Sequence, residues 1–188
     1  FINSFGTAAV AANTAVARIE QLVHQPYGSL SAALATYAGQ NYGAGKIKRV
    51  RRSMWVCIAT VTVIGLVMGN LMLLFGKPLM GIFTQTQELV DLSYYIMMIL
   101  AVGYIGVAVT QGLSGIMRGA GDTMTPMWIS LITTVLIRVP VAYGISFLTR
   151  TAELPYGRQE CIQISLLASW VLGAVLTAIF YRFGKWKT

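Results

Sequence analysis

Long stretches without charged residues alternate with short polar segments along this chain. Residues 54–76, 92–117 and 161–181 contain no charged side chain, and residues 123–149 contain one, Arg138. Each stretch reaches the ~20 apolar residues that a helix needs to cross a ~30 Å hydrocarbon layer. The ~10-residue segments of alternating polarity that are typical of a membrane β-barrel are not found. The pattern therefore predicts membrane-spanning helices.

The first apolar stretch is more ambiguous. Residues 6–39 would form a helix of roughly 51 Å at ~1.5 Å per residue, which is too long for one upright span. Arg18, Glu20, His24, Gln25 and Pro26 also interrupt it. We expect the span itself at about 19–39, with residues 5–18 beyond the membrane or in a preceding loop. The predicted fold is an all-α integral membrane bundle of five transmembrane helices, at about residues 19–39, 54–76, 92–117, 123–149 and 161–181.

Composition supports this class and excludes others. Hydrophobic residues make up 56% of the 188 residues and charged residues 11%, against about 25% charged in ordinary soluble domains. A cytosolic enzyme, a nucleic-acid-binding domain and a disordered tail are therefore excluded, and the lipid bilayer is the expected partner. The polar segments on one side carry nine Lys and Arg residues and those on the other carry three. Because basic residues stay in the cytoplasm, we expect a multi-pass protein of the plasma or inner membrane with a cytoplasmic C-terminus.

No motif for catalysis, metal or cofactor binding is evident. Cys57 and Cys161 form no CxxC pair, and His24 is the only histidine. Gly45-Lys46 lacks the earlier glycine and the following Ser or Thr of a phosphate-binding loop. The chain starts at Phe1 inside an apolar stretch, without a signal peptide. We interpret it as a fragment of a longer, non-enzymatic polypeptide.

The few ionisable residues within predicted spans need an explanation, because they are costly in lipid. Glu20 and His24 are i, i+4 neighbours on one helix face, with Gln21 and Tyr27 near it. They form either a polar stripe along a water-filled cavity that attracts a cation or proton, or a solvated pair at the membrane interface. Pro26 should kink this helix, either for a change of shape during transport or as a static feature.

Two further groups of polar residues, in later spans, can also have either a functional role in the cavity or a structural role. Arg138 lies two residues before Pro140, a second predicted kink. Arg138 is either an electrostatic element of the cavity or a structural tie to carbonyls that Pro140 leaves free. Gln111, with Thr110 and Ser114, either lines the cavity or forms hydrogen bonds between helices.

Three motifs together resemble one family. The first comprises Pro-Tyr-Gly at 26–28, Gly-Gln-Asn-Tyr-Gly-Ala-Gly at 39–45 and the basic run to Arg52. The second is Gly-Ile-Met-Arg-Gly-Ala-Gly-Asp-Thr-Met-Thr-Pro at 115–126, and the third is Arg-Val-Pro at 138–140 followed by Ala142-Tyr143. Their order and spacing resemble the C-terminal half of multidrug and toxic compound extrusion (MATE) transporters, over nearly the whole chain.

The resemblance implies a twelve-helix transporter with two six-helix lobes around a central cavity. The chain would be a partial C-terminal lobe containing helices eight to twelve, with helix seven and the N-terminal lobe missing. The implied function is cation-coupled antiport by alternating access, which exports drugs or organic cations against Na⁺ or H⁺. A single lobe cannot alternate access, so we expect the fragment alone to be inactive.

One position departs from the family pattern. Some branches carry a cation-binding acid in helix ten, and the corresponding residue here is Val107. Coupling would therefore depend on a carboxylate in the missing lobe or on Glu20. A flippase for lipid-linked polysaccharides and a non-transporting membrane scaffold are the alternative functions, although the scaffold would leave Arg138, Glu20 and His24 without a role.

Overall fold

A computed structural model describes residues 7–83, 86–151 and 160–183, and the regular elements in these ranges are all helical. The elements, in chain order, are α1 (Thr7–Gly43), α2 (Ile47–Phe83), α3 (Gln87–Ala101), α4 (Tyr104–Gly119), α5 (Met124–Leu131), a π-helical segment (Ile132–Ile137), α6 (Arg138–Leu148) and α7 (Cys161–Phe183). The predicted all-α fold is confirmed.

Two glycines with positive φ make the tight turns at one end of the bundle. Gly45 (φ +69°) lies between α1 and α2, and Gly121 (φ +92°) lies between α4 and α5. Residues with a Cβ rarely adopt this conformation, so glycine suits both positions. After the second turn, the carboxylate of Asp122 accepts a hydrogen bond from the Thr125 N–H at 3.0 Å, which satisfies a free donor at the start of α5.

Helix α4 is the central element and packs against α1, α2 and α7. Its contact with α1 is close because both helices present glycine there. A Cβ on Gly115 would lie 2.5 Å from the Ser31 carbonyl oxygen, and one on Gly119 would collide with the Ala35 carbonyl. Small residues at such spacing let membrane helices approach each other. The buried core around this contact includes Tyr27, Tyr104 and Ile116.

The predicted spans and the observed helices differ in two respects. The segment 92–117, expected as one helix, consists of α3 and α4, which are bent by 50° at their junction. Gly103 lies at this break, where a Cβ would be 2.5 Å from the Trp170 ring, so the close approach of Trp170 accompanies the bend. Helices α1 and α2 also extend beyond 19–39 and 54–76, because helical hydrogen bonding continues past the apolar stretch.

Three helical units of the described chain are long and apolar enough to cross a membrane: Ile47–Ile82, Met124–Leu148 and Cys161–Phe183. The pair formed by α3 and α4 is a fourth if it acts as one span. Helix α1 is not in this set, in keeping with the polar residues that interrupt it. The predicted span at 19–39, and with it the five-span topology, stays a prediction.

Candidate functional site

A cavity of about 670 Å³ lies between α4, α7 and the unit formed by α5 and the π-helical segment. Hydroxyl side chains dominate its polar lining: Thr110, Ser114, Thr123, Ser130, Thr133, Thr134 and Ser169. Gln111, one of the predicted cavity residues, lies among them, as do the ring of Trp170 and the side chain of Val107. A wall of this kind offers hydrogen bonds together with apolar contact, as ligand pockets do.

The charged residues of this lining are both arginines, Arg118 and Arg138, and no carboxylate lines the cavity in the described part of the chain. Arg138 is the first residue of α6, directly after the π-helical segment. Its Nε donates a hydrogen bond to Ser169 Oγ on α7 at 3.4 Å. The side chain that the sequence singled out therefore faces the cavity, and it contacts a hydroxyl group of the neighbouring helix.

Arg118 lines the cavity from α4, and a hydrogen bond to Ser31 on α1 holds its side chain. Its Nη2 donates to Ser31 Oγ at 2.8 Å, and Ser31 Oγ in turn donates to the backbone carbonyl of Gln111 at 2.6 Å. This chain of hydrogen bonds fixes the backbone of Gln111 while its side chain lines the cavity. Helix α1 thus supports the cavity wall without lining it.

A second polar cluster lies on α1, at Glu20, His24 and Tyr27. The His24 ring is 5.7 Å from the Trp170 ring and 6.3 Å from each of the Tyr27 and Tyr104 rings. Glu20 Oε1, His24 Nε2 and both tyrosine hydroxyls are buried and have no hydrogen-bond partner within the described residues. Buried polar atoms of this kind normally have a partner. This cluster therefore has unused capacity for a proton, a cation or water.

Trp170 belongs to both sites, because it lines the cavity and packs edge-on against His24. Each site has one charged member near this boundary, Glu20 in the cluster and Arg138 in the cavity lining, and their charges are of opposite sign. The two do not form an ion pair, unlike Lys77 and Asp91. The two sites are therefore adjacent.

The remaining predicted residues lie elsewhere. Gln21 is exposed and belongs to neither site. Helix α1 passes through Pro26 as a single helix, so the kink expected there stays a prediction.

Before Pro140 the chain forms the π-helical segment, whose residues Thr133, Thr134 and Val135 line the cavity. Proline cannot donate to the carbonyl four residues earlier, which favours an altered register at this point.

Sequence reasoning missed Tyr104, Trp170 and the π-helical segment. A signal existed for the hydroxyl lining, because an apolar stretch seldom contains as many hydroxyl residues as Thr123, Ser130, Thr133 and Thr134. No comparable signal existed for Tyr104 and Trp170, since aromatic residues are common throughout the spans. Their role follows from three-dimensional packing, in which both rings contact His24 and Trp170 also lines the cavity.

Comparison with known proteins identifies relatives over the whole chain. A sequence model of the MatE family matches residues 1–144. The chain is 27% identical over 187 residues to the probable multidrug resistance protein YoeA of Bacillus subtilis (strain 168), covering all of this chain and 39% of that protein. It is 26% identical over 194 residues to the probable multidrug resistance protein NorM of Thermotoga maritima, covering 97% and 38% respectively.

The fold matches a solved structure as well. The structure titled "MATE transporter ClbM in complex with Rb+" superimposes with a TM-score of 0.81 at 24% identity, over 96% of this chain and 41% of that one. The resemblance inferred from the motifs is therefore confirmed for family and for fold. The chain spans about two fifths of the length of these relatives.

Proposed function

The chain belongs to the MatE family of membrane transporters, and we propose that it forms part of a secondary active transporter that exports drugs or organic cations in exchange for Na⁺ or H⁺. Relatives described as probable multidrug resistance proteins favour this function over a flippase or a scaffold. Because the chain spans about 40% of their length, transport would need the rest of the polypeptide, including a second lobe and a preceding helix.

The arrangement in the membrane is part of the proposal. Five spans would lie in the plasma or inner membrane, with the α1–α2 and α4–α5 turns and the C-terminus in the cytoplasm. The asymmetry of Lys and Arg supports this orientation. The cavity beside α4 would then form one wall of the pathway, and the two lobes would rock about it as in other alternating-access transporters.

One observation carries the coupling proposal: Glu20 belongs to a cluster of buried polar atoms without hydrogen-bond partners, and Trp170 joins this cluster to the cavity that Arg138 lines. The oxygen atoms of Glu20, Tyr27 and Tyr104 suit a hard cation such as Na⁺, and the carboxylate alone suits a proton. The related structure that contains Rb⁺ is consistent with a cation as coupling ion.

The exchange of a drug for the coupling ion follows from the opposite charges of Glu20 and Arg138. When Glu20 is ionised, its negative charge offsets that of Arg138 and a cationic drug is tolerated in the cavity. When Glu20 binds Na⁺ or H⁺, the charge of Arg138 is no longer offset and the drug is repelled. Each ligand thus disfavours the other, which is the reciprocal coupling that antiport requires.

The test uses the complete polypeptide in proteoliposomes with an imposed Na⁺ or pH gradient and ethidium as the exported cation. We expect Glu20→Gln to abolish the gain in ethidium transport that the gradient produces, because glutamine can neither ionise nor bind a proton. Glu88→Gln is the matched control, since Glu88 is exposed in the first turn of α3. Unchanged coupling in Glu20→Gln would contradict the role of Glu20, and no gradient-driven transport by the unsubstituted protein would contradict the antiporter itself.

A further inference from the structure

A second concave surface, separate from the cavity beside α4, lies between α1 and α2. It is a groove of about 440 Å³, with Leu30, Leu34 and Tyr37 on one wall and Arg49, Arg52 and Val56 on the other. The transport proposal does not use this groove, since none of these residues lines the first cavity.

Polarity changes along the length of the groove. Arg49 and Arg52 lie in the first turns of α2, which begins at Ile47, and Ser53 follows them. Tyr37 lies at the same end, close to the end of α1 at Gly43. Leu30 lies roughly 20 Å from Gly43 along α1 at ~1.5 Å per residue, and Val56 faces the same apolar part. The groove is therefore basic near the α1–α2 turn and mainly apolar below it, where Thr60 contributes a hydroxyl group.

The two arginines have no carboxylate partner in the part of the chain that the structure describes. No Asp or Glu occurs between Glu20 and Glu88 in the sequence. Asp122, in the other turn at this end, accepts a hydrogen bond from the Thr125 backbone, and Asp91 pairs with Lys77. Two guanidinium groups that border a groove without an acid form a site for a phosphate or carboxylate group.

We propose that this groove binds an anionic phospholipid, with the phosphate at Arg49 and Arg52 and the first part of an acyl chain along Leu30, Leu34 and Val56. The order of the groups in the groove, from basic to apolar, is that of a phospholipid from headgroup to tail. Basic pockets between membrane helices on the cytoplasmic side bind anionic headgroups. The inference needs the chain to lie in a membrane, and it does not depend on drug export.

The test is native mass spectrometry of the complete polypeptide, purified with phosphatidylglycerol and, separately, with phosphatidylcholine. We expect the protein to retain phosphatidylglycerol in preference to phosphatidylcholine after detergent exchange. The double variant R49Q/R52Q should retain roughly thirtyfold less, from about 1 kcal/mol per basic residue near a headgroup. V56W should also reduce retention by filling the apolar part while both arginines remain.

The matched control is K46Q/K48Q, which removes the same net charge near the same end of α2, at exposed residues that do not line the groove. It should retain the lipid as the unsubstituted protein does. Equal losses in both double variants would overturn the proposal in favour of diffuse surface charge. Equal retention of both lipids by the unsubstituted protein would also overturn it. Another part of the polypeptide would then be the expected occupant of the groove. Displacement by millimolar inorganic phosphate would indicate a phosphate site without a lipid tail.

Discussion

Ser31 is the residue through which α1 holds the cavity wall. Its hydroxyl accepts from Arg118 and donates to the Gln111 carbonyl, at 2.8 and 2.6 Å. We expect Ser31→Ala to lower the free energy of unfolding by about 1–2 kcal/mol, because it leaves two half-buried groups without their partner. Thermal unfolding in detergent measures the effect. Thr36→Ala is the control, since the exposed Thr36 hydroxyl bonds within its own helix to Ala32, and an equal loss there would contradict the role given to Ser31.

At the same scale, the sequence predicted those parts of the site that belong to one helix. Glu20, His24 and Tyr27 share a face because helical periodicity places residues three and four apart together. The sequence leaves Arg138 either as a cavity element or as a structural tie to carbonyls that Pro140 frees, and its contact with Ser169 on α7 is not contained in any local pattern. Tyr104 and Trp170 join His24 from α4 and α7, and no local pattern contains the packing that brings these helices together.

Among the helices, the contact between α1 and α4 makes a steric prediction. A methyl group on Gly119 would collide with the Ala35 carbonyl. Gly119→Ala should therefore separate the helices and lower the free energy of unfolding by about 1–3 kcal/mol. Gly69→Ala is the matched control within α2, because a Cβ there meets nothing within 4 Å. It should be neutral or stabilise by up to about 1 kcal/mol. Similar destabilisation of both variants would show that the close contact is not the cause.

The π-helical segment before Pro140 makes a second prediction for the elements. We expect Pro140→Ala to restore a backbone donor and allow the α-helical register through residues 132–137. Amide exchange of these residues should then be slower, and transport by the complete polypeptide should fall because the segment lines the cavity. Pro126→Ala is the control for amide exchange, since Pro126 lies in the first turn of α5, where no helical donor is needed. Unchanged amide exchange in Pro140→Ala would show that Pro140 is not the cause of the π-helical register.

Helix positions were predictable from hydropathy, whereas helix ends and breaks were not. The apolar stretch 54–76 lies inside α2, which runs from Ile47 to Phe83. Hydropathy measures the part of a helix that suits lipid, while backbone hydrogen bonds continue until a turn such as that at Gly45 ends them. The break between α3 and α4 accompanies the close approach of Trp170, a residue of another helix, and hydropathy along the chain does not contain this contact.

For the molecule as a whole, the surface indicates what surrounds it. Large apolar side chains such as Ile82, Phe147 and Leu148 are more than two thirds exposed. Apolar surface on this scale must be covered by lipid or by the rest of the polypeptide. We therefore expect residues 1–188 expressed alone to insert in the membrane without transporting ethidium, and co-expression with the remaining part of the polypeptide to restore transport. Transport by the 188-residue chain alone would contradict the two-lobe mechanism.

The distribution of basic residues predicts the orientation of the molecule in the membrane, and this orientation can be tested directly. The α1–α2 turn contains Lys46, while Thr151 follows α6 at the opposite end of the predicted topology. Both native cysteines are buried and free, so alanine can replace them to give a background without thiols. In this background, a membrane-impermeant maleimide should label Thr151→Cys in intact cells and Lys46→Cys only after permeabilisation. The physical reason is that basic loops are retained in the cytoplasm during insertion. Labelling of Lys46→Cys in intact cells would reverse the topology, and it would place the groove of Arg49 and Arg52 at the outer leaflet.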